Sequence, residues 1–125
     1  MTTPYGTTVL EHFRRPRNQR PMESATVSRE GFNPLCGDRV RIELEIVNST
    51  IRDAAFTANA CAICTASASL LTERIRGQDV GAASRLSDDD VLDALGTQLP
   101  TARVRCATLP AQAMREALAG VHRIA

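Results

Sequence analysis

"NPLCGDRVRIELEIV", residues 33–47, changes character partway along. From Arg39 onward charged and apolar side chains alternate: Val40, Ile42, Leu44 and Ile46 share one side, and Arg41, Glu43 and Glu45 the other. Successive side chains of a strand point to opposite faces, so this is a strand with one buried and one wet face, as in an antiparallel sheet. Just before it stand a proline, a cysteine, a glycine and an aspartate within five positions, 34–38. That puts a thiol and a carboxylate two residues apart on the lip of a strand. Asn48, Ser49 and Thr50 supply a turn, Ile51–Thr57 reads as the returning strand, and residues 25–31 carry a weaker strand pattern. Three antiparallel strands are the economical expectation.

After Cys61 the period lengthens. "CTASASLLTERIRG", residues 64–77, predicts a helix with Leu71 and Ile75 on one face and Gly77 as its stop. "SRLSDDDVLDALG", 84–96, predicts a shorter helix that starts with Ser87 three residues before Asp90, resembles a capping box without the usual Glu or Gln, and ends at Gly96. "TLPAQAMREALAG", 108–120, places Thr108 as cap, Pro110 in the first turn and Gly120 at the end. Ahead of the strands, Tyr5, Val9, Leu10 and Phe13 recur at helical spacing, and the prolines at 16 and 21 break the helix expected over 4–15. The expected architecture is α+β: a three-stranded antiparallel sheet with helices packed on one face. No repeat or boundary divides the chain, so residues 1–125 are expected to form a single domain.

Composition narrows the function. Apolar residues make up 43% but aromatics only 3%, so the core must be built from Val, Ile, Leu and Ala. A net charge of +1 gives no global field that argues for nucleic acid or a membrane surface. "RRPRNQR", 14–20, has four arginines but no interleaved aromatics for base stacking, which makes it a solvated surface by default. No run approaches the roughly 18 apolar residues of a membrane span. The first twenty residues lack the basic-then-apolar order of a signal peptide, and a cytoplasmic location is expected.

The chemistry then rests on four cysteines, Cys36, Cys61, Cys64 and Cys106. In a reducing compartment a disulfide framework is disfavoured, leaving metal binding, sulfur chemistry or plain burial. Cys36 precedes the second strand, Cys61 lies between the third strand and a helix, and Cys106 is expected to lead into the last helix. Thiols at helix N-termini are favoured as thiolates by the aligned peptide dipoles. Asp38 adds an oxygen two residues from Cys36, with Gly37 between them to turn both inward. Three thiolates and a carboxylate complete a tetrahedral set for Zn²⁺ and equally suit a small iron–sulfur cluster. The "CAIC" pair at 61–64 lacks the second Cys-x-x-Cys of a zinc ribbon and the βαβ context of a thioredoxin-like motif. His12 reads as a helix-packing residue and His122 as solvated beyond the Gly120 stop.

These residues resemble a known group, the IscU/NifU N-terminal/SufU family of iron–sulfur cluster assembly scaffold proteins. "VLEHFRRPRN" is similar to its N-terminal helix and exit, "NPLCGD" to its first ligand loop, "ANACAICTASASLLTERIRG" to its second and "RCATLPAQAMREAL" to its third. The resemblance implies ligands Cys36, Asp38, Cys61 and Cys106, with Cys64 outside the set. It implies Cys36 and Cys106 as candidate sulfur acceptors and a cysteine desulfurase as sulfur donor. It also implies a downstream iron–sulfur carrier or apo-protein as recipient, and it leaves a homo-oligomer open. Arg105 stands where IscU-type members have His and SufU-type members a basic residue, and it is expected to lower the Cys106 pKa as a thiolate-supporting cation. Cys61 and Cys106 are 45 positions apart, the shorter IscU-type spacing. "LPTAR", 99–103, half resembles the chaperone-recognised segment of IscU-type members, and that partner is not expected. Ala60 replaces the usual Gly, so the backbone there is expected to stay at negative φ.

The function that follows is a scaffold holding a transient 2Fe-2S cluster. The alternatives are a zinc-dependent sulfurtransferase that relays persulfide sulfur and a structural zinc module with no sulfur traffic.

Overall fold

The computed structural model describes residues 6–124, with side chains through Val121. Tyr5, placed on the apolar spacing of the first helix, lies outside the described residues, as does the side chain of His122. The elements run α1 (Gly6–Arg14), β1 (Val27–Asn33), β2 (Asp38–Val47), β3 (Thr50–Asn59), α2 (Ala62–Ile75), α3 (Val80–Ser84), α4 (Asp88–Leu95) and α5 (Thr101–Ile124). The strands form one antiparallel sheet in the order β1-β2-β3.

The alternation in β2 holds in its first half and breaks at Glu43, which was expected on the wet face but is buried, while Ile46 is only half-buried. Val40, Ile42 and Leu44 are almost fully buried, while Arg39 and Arg41 are exposed. The phase extends one residue earlier than expected, because the strand begins at Asp38 and that side chain is buried on the same face. Asn48 (φ 52°) and Ser49 (φ 63°) both adopt left-handed backbone, the geometry a two-residue hairpin needs to follow the strand twist. A bulge skips Arg52: Glu45 pairs with Asp53, but Ile46 pairs with Ile51. The extra residue returns Ile51 to the inner face, where it joins Ala54 and Phe56 in the core.

The second hairpin positions the site. Asn33 pairs with Asp38, closing β1 onto β2 around residues 34–37. Asn33 stabilises this loop twice: its side-chain Oδ1 accepts the Leu35 N–H at 3.1 Å, and its carbonyl accepts the Gly37 N–H at 2.8 Å. Gly37 sits at φ +76°, which a residue with a Cβ adopts only under strain.

Helix α2 is surrounded. Its residues from Ile63 to Ser69 are all buried, and so are Leu71, Thr72 and Ile75. Because it packs on several sides, its small polar residues find partners inside the protein. Ser69 Oγ meets His12 Nδ1 of α1 at 2.8 Å and also accepts the Arg17 N–H. Ser67 donates to the Ala107 carbonyl of α5. His12 is thus the packing residue expected. Phe13, placed on the apolar stripe of α1, is instead 45% exposed, and Val9 and His12 turn inward.

Two C-terminal expectations change. The short helix α3, capped by Asp79 through the Gly81 and Ala82 N–H groups, was not foreseen. Helix α5 starts at Thr101 instead of Thr108 and continues past Gly120, so Pro110 lies in its interior and Gly120 is no stop. The proline that marks the true start is Pro100, whose carbonyl accepts the Arg103 N–H. Burial overrides local preference here, since residues 109–111, 113–114 and 117–118 are all buried and the helix lies over β1 and β2. The approach to β1 is so close that a Cβ at Gly31 would meet Leu109 at 3.0 Å. The capping box at α4 is complete: Asp90 accepts from the Ser87 N–H and Ser87 Oγ accepts from the Asp90 N–H, so Asp does the work usually given to Glu or Gln. Among the described residues no helix is long and apolar enough to cross a membrane.

Candidate metal centre

Three elements bring donors to one point at the end of the sheet. The 34–37 loop supplies Cys36, the first residue of β2 supplies Asp38, and the second turn of α5 supplies Cys106. One donor atom from each lies within 4.8 Å of the others. The Cys36 and Cys106 sulfurs are 3.5 Å apart. Two thiolates on one tetrahedral ion at about 2.3 Å each stand about 3.8 Å apart, so the pair is already near the spacing a metal requires.

Asp38 is the centre of this cluster. Its Oδ1 accepts the Cys61 N–H at 2.9 Å. Its Oδ2 is buried with no hydrogen-bond partner. A buried carboxylate oxygen left bare is costly, and among thiols the natural relief is a cation. Burial alone would raise the Asp38 pKa; the Cys36 thiol, the Cys61 N–H and the Cys106 and Cys61 thiols outweigh it, so the carboxyl titrates below its ordinary value. The site therefore keeps a charged oxygen ready among its sulfurs. These residues fit a thiophilic metal or cluster.

Cys61 stands one step outside the trio. It is the N-cap of α2 with extended backbone (φ −68°, ψ 169°), and its side chain caps nothing. Its sulfur is half-buried and is near enough to act on both Asp38 and Cys106. Cys64 lies one turn further along α2, fully buried, and burial first, then the charge of Asp38, pushes its thiol well above the ordinary range. Such a thiol stays protonated.

Cys106 corrects an expectation. It does not lead into the last helix but lies inside it, 0% exposed. Burial, then the neighbouring Asp38 carboxylate and Cys36 thiol, raises its pKa, opposite to the direction expected from Arg105. The Arg105 side chain is exposed and lines an open cavity of about 620 Å³ with Phe32, Pro34, Asp89 and Thr108. In the metal-free protein, then, Cys106 is a protonated thiol beside a charged carboxylate. Ala60 is not among the residues with positive φ, as expected. The basic stretch is largely exposed, with Arg14, Arg15 and Arg20 all on the surface, and two of its four arginines form ion pairs: Arg17 with Glu11 at 3.0 Å and Arg20 with Asp53 at 2.6 Å. Asp88 of the acidic run pairs with Arg115 at 2.7 Å.

Fold and site together define a small α+β metal-binding protein whose donors come from a hairpin loop, a strand and a helix. Residues 4–124 match the family model of the NifU-like N terminal domain, and the chain belongs to that family. It is 34% identical over 114 residues to the iron-sulfur cluster assembly scaffold protein IscU 1 of Archaeoglobus fulgidus, covering 91% of this chain and 74% of that protein. It is 31% identical over 136 residues to the zinc-dependent sulfurtransferase SufU of Bacillus subtilis, covering 95% of this chain and 92% of that protein. Among solved structures, the N-terminal part of a nitrogen-fixing NifU-like protein from Brucella abortus has the same fold. The TM-score is 0.81 at 18% identity, over 98% of this chain and 96% of that one.

Proposed function

We propose that this chain is an assembly scaffold that takes sulfur from a cysteine desulfurase and holds a [2Fe–2S] cluster as cargo for a downstream carrier or apo-protein. Cys36, Cys106 and Cys61 are the thiolate arms and Asp38 the oxygen arm. The observation that carries this reading is the bare, buried Oδ2 of Asp38 set among the Cys36 and Cys106 thiols. A carboxylate is a harder donor than a thiolate and is displaced more easily from a soft site, which suits a protein that must let its cargo go. Cys36 is the exposed thiol and is well placed to receive sulfur. Its thiolate attacks the outer sulfur of the desulfurase persulfide, that S–S bond breaks, and the desulfurase cysteine leaves as thiolate while Cys36 becomes the persulfide. The protein binds and relays; turnover belongs to the donor.

A second reading is supported by Arg105 and by the 31% identity to a zinc-dependent sulfurtransferase. In it the same four donors hold zinc as a resident ion, and one cysteine exchanges between metal and persulfide. Anaerobic incubation with a desulfurase, cysteine and ferrous iron separates the two. The scaffold reading expects iron and acid-labile sulfide bound in equal amounts with a visible charge-transfer spectrum. Tightly held zinc with sulfide released and no bound iron would establish the sulfurtransferase instead.

A further inference from the structure

Pro110 lies inside α5, four residues after Cys106. In an α-helix the N–H of each residue bonds the carbonyl four positions earlier, so the donor owed to the Cys106 carbonyl belongs to residue 110. Proline has no such donor, and its ring presses on that same carbonyl. Cys106 is 0% exposed and Pro110 is buried, so bulk water does not replace the bond. The next carbonyl is held from outside the helix: Ser67 of α2 donates its hydroxyl to Ala107 at 2.5 Å, also in the interior. The 106 carbonyl thus lacks its regular helical donor, and the 107 carbonyl carries a bond from outside the helix. That turn carries the thiol that stands 3.5 Å from Cys36.

We propose that Pro110 and Ser67 are positioning residues for the metal centre, which release and then fix one turn of α5 so that the Cys106 thiol meets Cys36 and Asp38. A proline in a helix interior is otherwise a pure cost, among the largest a single residue imposes on a helix. Its place four residues after a ligand gives that cost a use. A local rupture lets the thiol deviate from regular helical geometry, and the buried Ser67 bond keeps the deviation single-valued. The inference rests on Cys106 being a ligand, which is tested separately by Cys106→Ala.

The experiment loads the parent protein, Pro110→Ala, Ser67→Ala and Cys106→Ala with Zn²⁺ or Co²⁺ under anaerobic conditions. Chelator competition gives affinity, the sulfur-to-cobalt charge-transfer band reports thiolate ligation, and thermal melting of the metal-free forms reports the fold. Pro110→Ala should melt no lower than the parent, because it restores a helical bond, yet bind zinc about tenfold more weakly, the loss typical of removing outer-shell support. Its cobalt band should weaken toward that of Cys106→Ala. Ser67→Ala should lose affinity in the same direction. If Pro110→Ala keeps the parent's affinity and band, or loses affinity only in step with a lower melting temperature, the proposal is overturned. If Cys106→Ala itself keeps full affinity, the ligand set fails first and this inference with it.

Discussion

Replacing Asp38 by Ala should leave the metal-free fold nearly as stable while changing what the site holds. The change removes the hydrogen bond that Oδ1 accepts from the Cys61 N–H. A bond to a charged acceptor contributes about 1.5–3 kcal/mol. It also removes Oδ2, a buried acceptor with no partner, whose burial costs about 1–3 kcal/mol. The two nearly cancel, so the net change should stay within about 1 kcal/mol, or about 4 °C in melting temperature for a domain of this size. Asp38→Asn keeps an acceptor for Cys61 and should be at least as stable as Asp38→Ala. Metal-loaded forms should diverge. Zinc affinity should fall by at least about tenfold, since a direct ligand matters no less than its outer-shell support. An assembled cluster, by contrast, should bleach more slowly against a chelator, because the readily displaced oxygen arm is gone. Melting of the metal-free proteins, chelator competition and the decay of visible absorbance test each part. A melting temperature lower by 10 °C or more, or faster bleaching, would refute the reasoning.

Other outcomes follow from the same geometry. Burial lowers the His12 pKa, and Arg17 lowers it further, so the unfolded chain binds a proton near pH 6.5 before the folded one does. Stability is therefore full above about pH 6.5, declines as the pH falls from there toward the lowered folded value, and this decline should vanish in His12→Gln when melting is followed from pH 8 to pH 5. A thiol reagent applied to the metal-free native protein should label Cys36 first and leave Cys64 unlabelled until the protein is unfolded; early labelling of Cys64 would contradict its burial. Arg105→Ala should leave stability within about 0.5 kcal/mol and metal content unchanged, because the side chain is exposed. Loss of metal would show that Arg105 supports the site itself.

The sheet was legible because a period of two is hard to imitate. Val40, Ile42 and Leu44 settle both the strand and its buried face. The same phase, carried back two residues, already points Asp38 inward, a signal present in the sequence and unused in setting the strand's start. Cys36 was legible through Gly37, whose positive φ turns the loop onto the strand. The last helix was misread for a physical reason. Proline is favoured in a helix's first turn, so Pro110 suggested a start near Thr108, whereas the contacts of α5 with β1 and β2 that sustain the helix through Pro110 are not local. With the start displaced, Cys106 was assigned a helix-end environment that favours thiolate, and its burial went unseen. No spacing rule shows that Cys61 stands slightly apart from the other three donors. Its place is set by the N-terminus of α2 meeting Asp38 across the fold, an arrangement formed only when sheet and helices pack.

The most direct measurement is metal-edge X-ray absorption of the zinc-loaded protein and of Cys61→Ala and Cys64→Ala. The account predicts three sulfurs at about 2.3 Å and one oxygen at about 2.0–2.2 Å in the parent, the same shell in Cys64→Ala, and one sulfur fewer in Cys61→Ala. A four-sulfur shell in the parent that drops to three in Cys64→Ala would place Cys64 at the metal and contradict the ligand set.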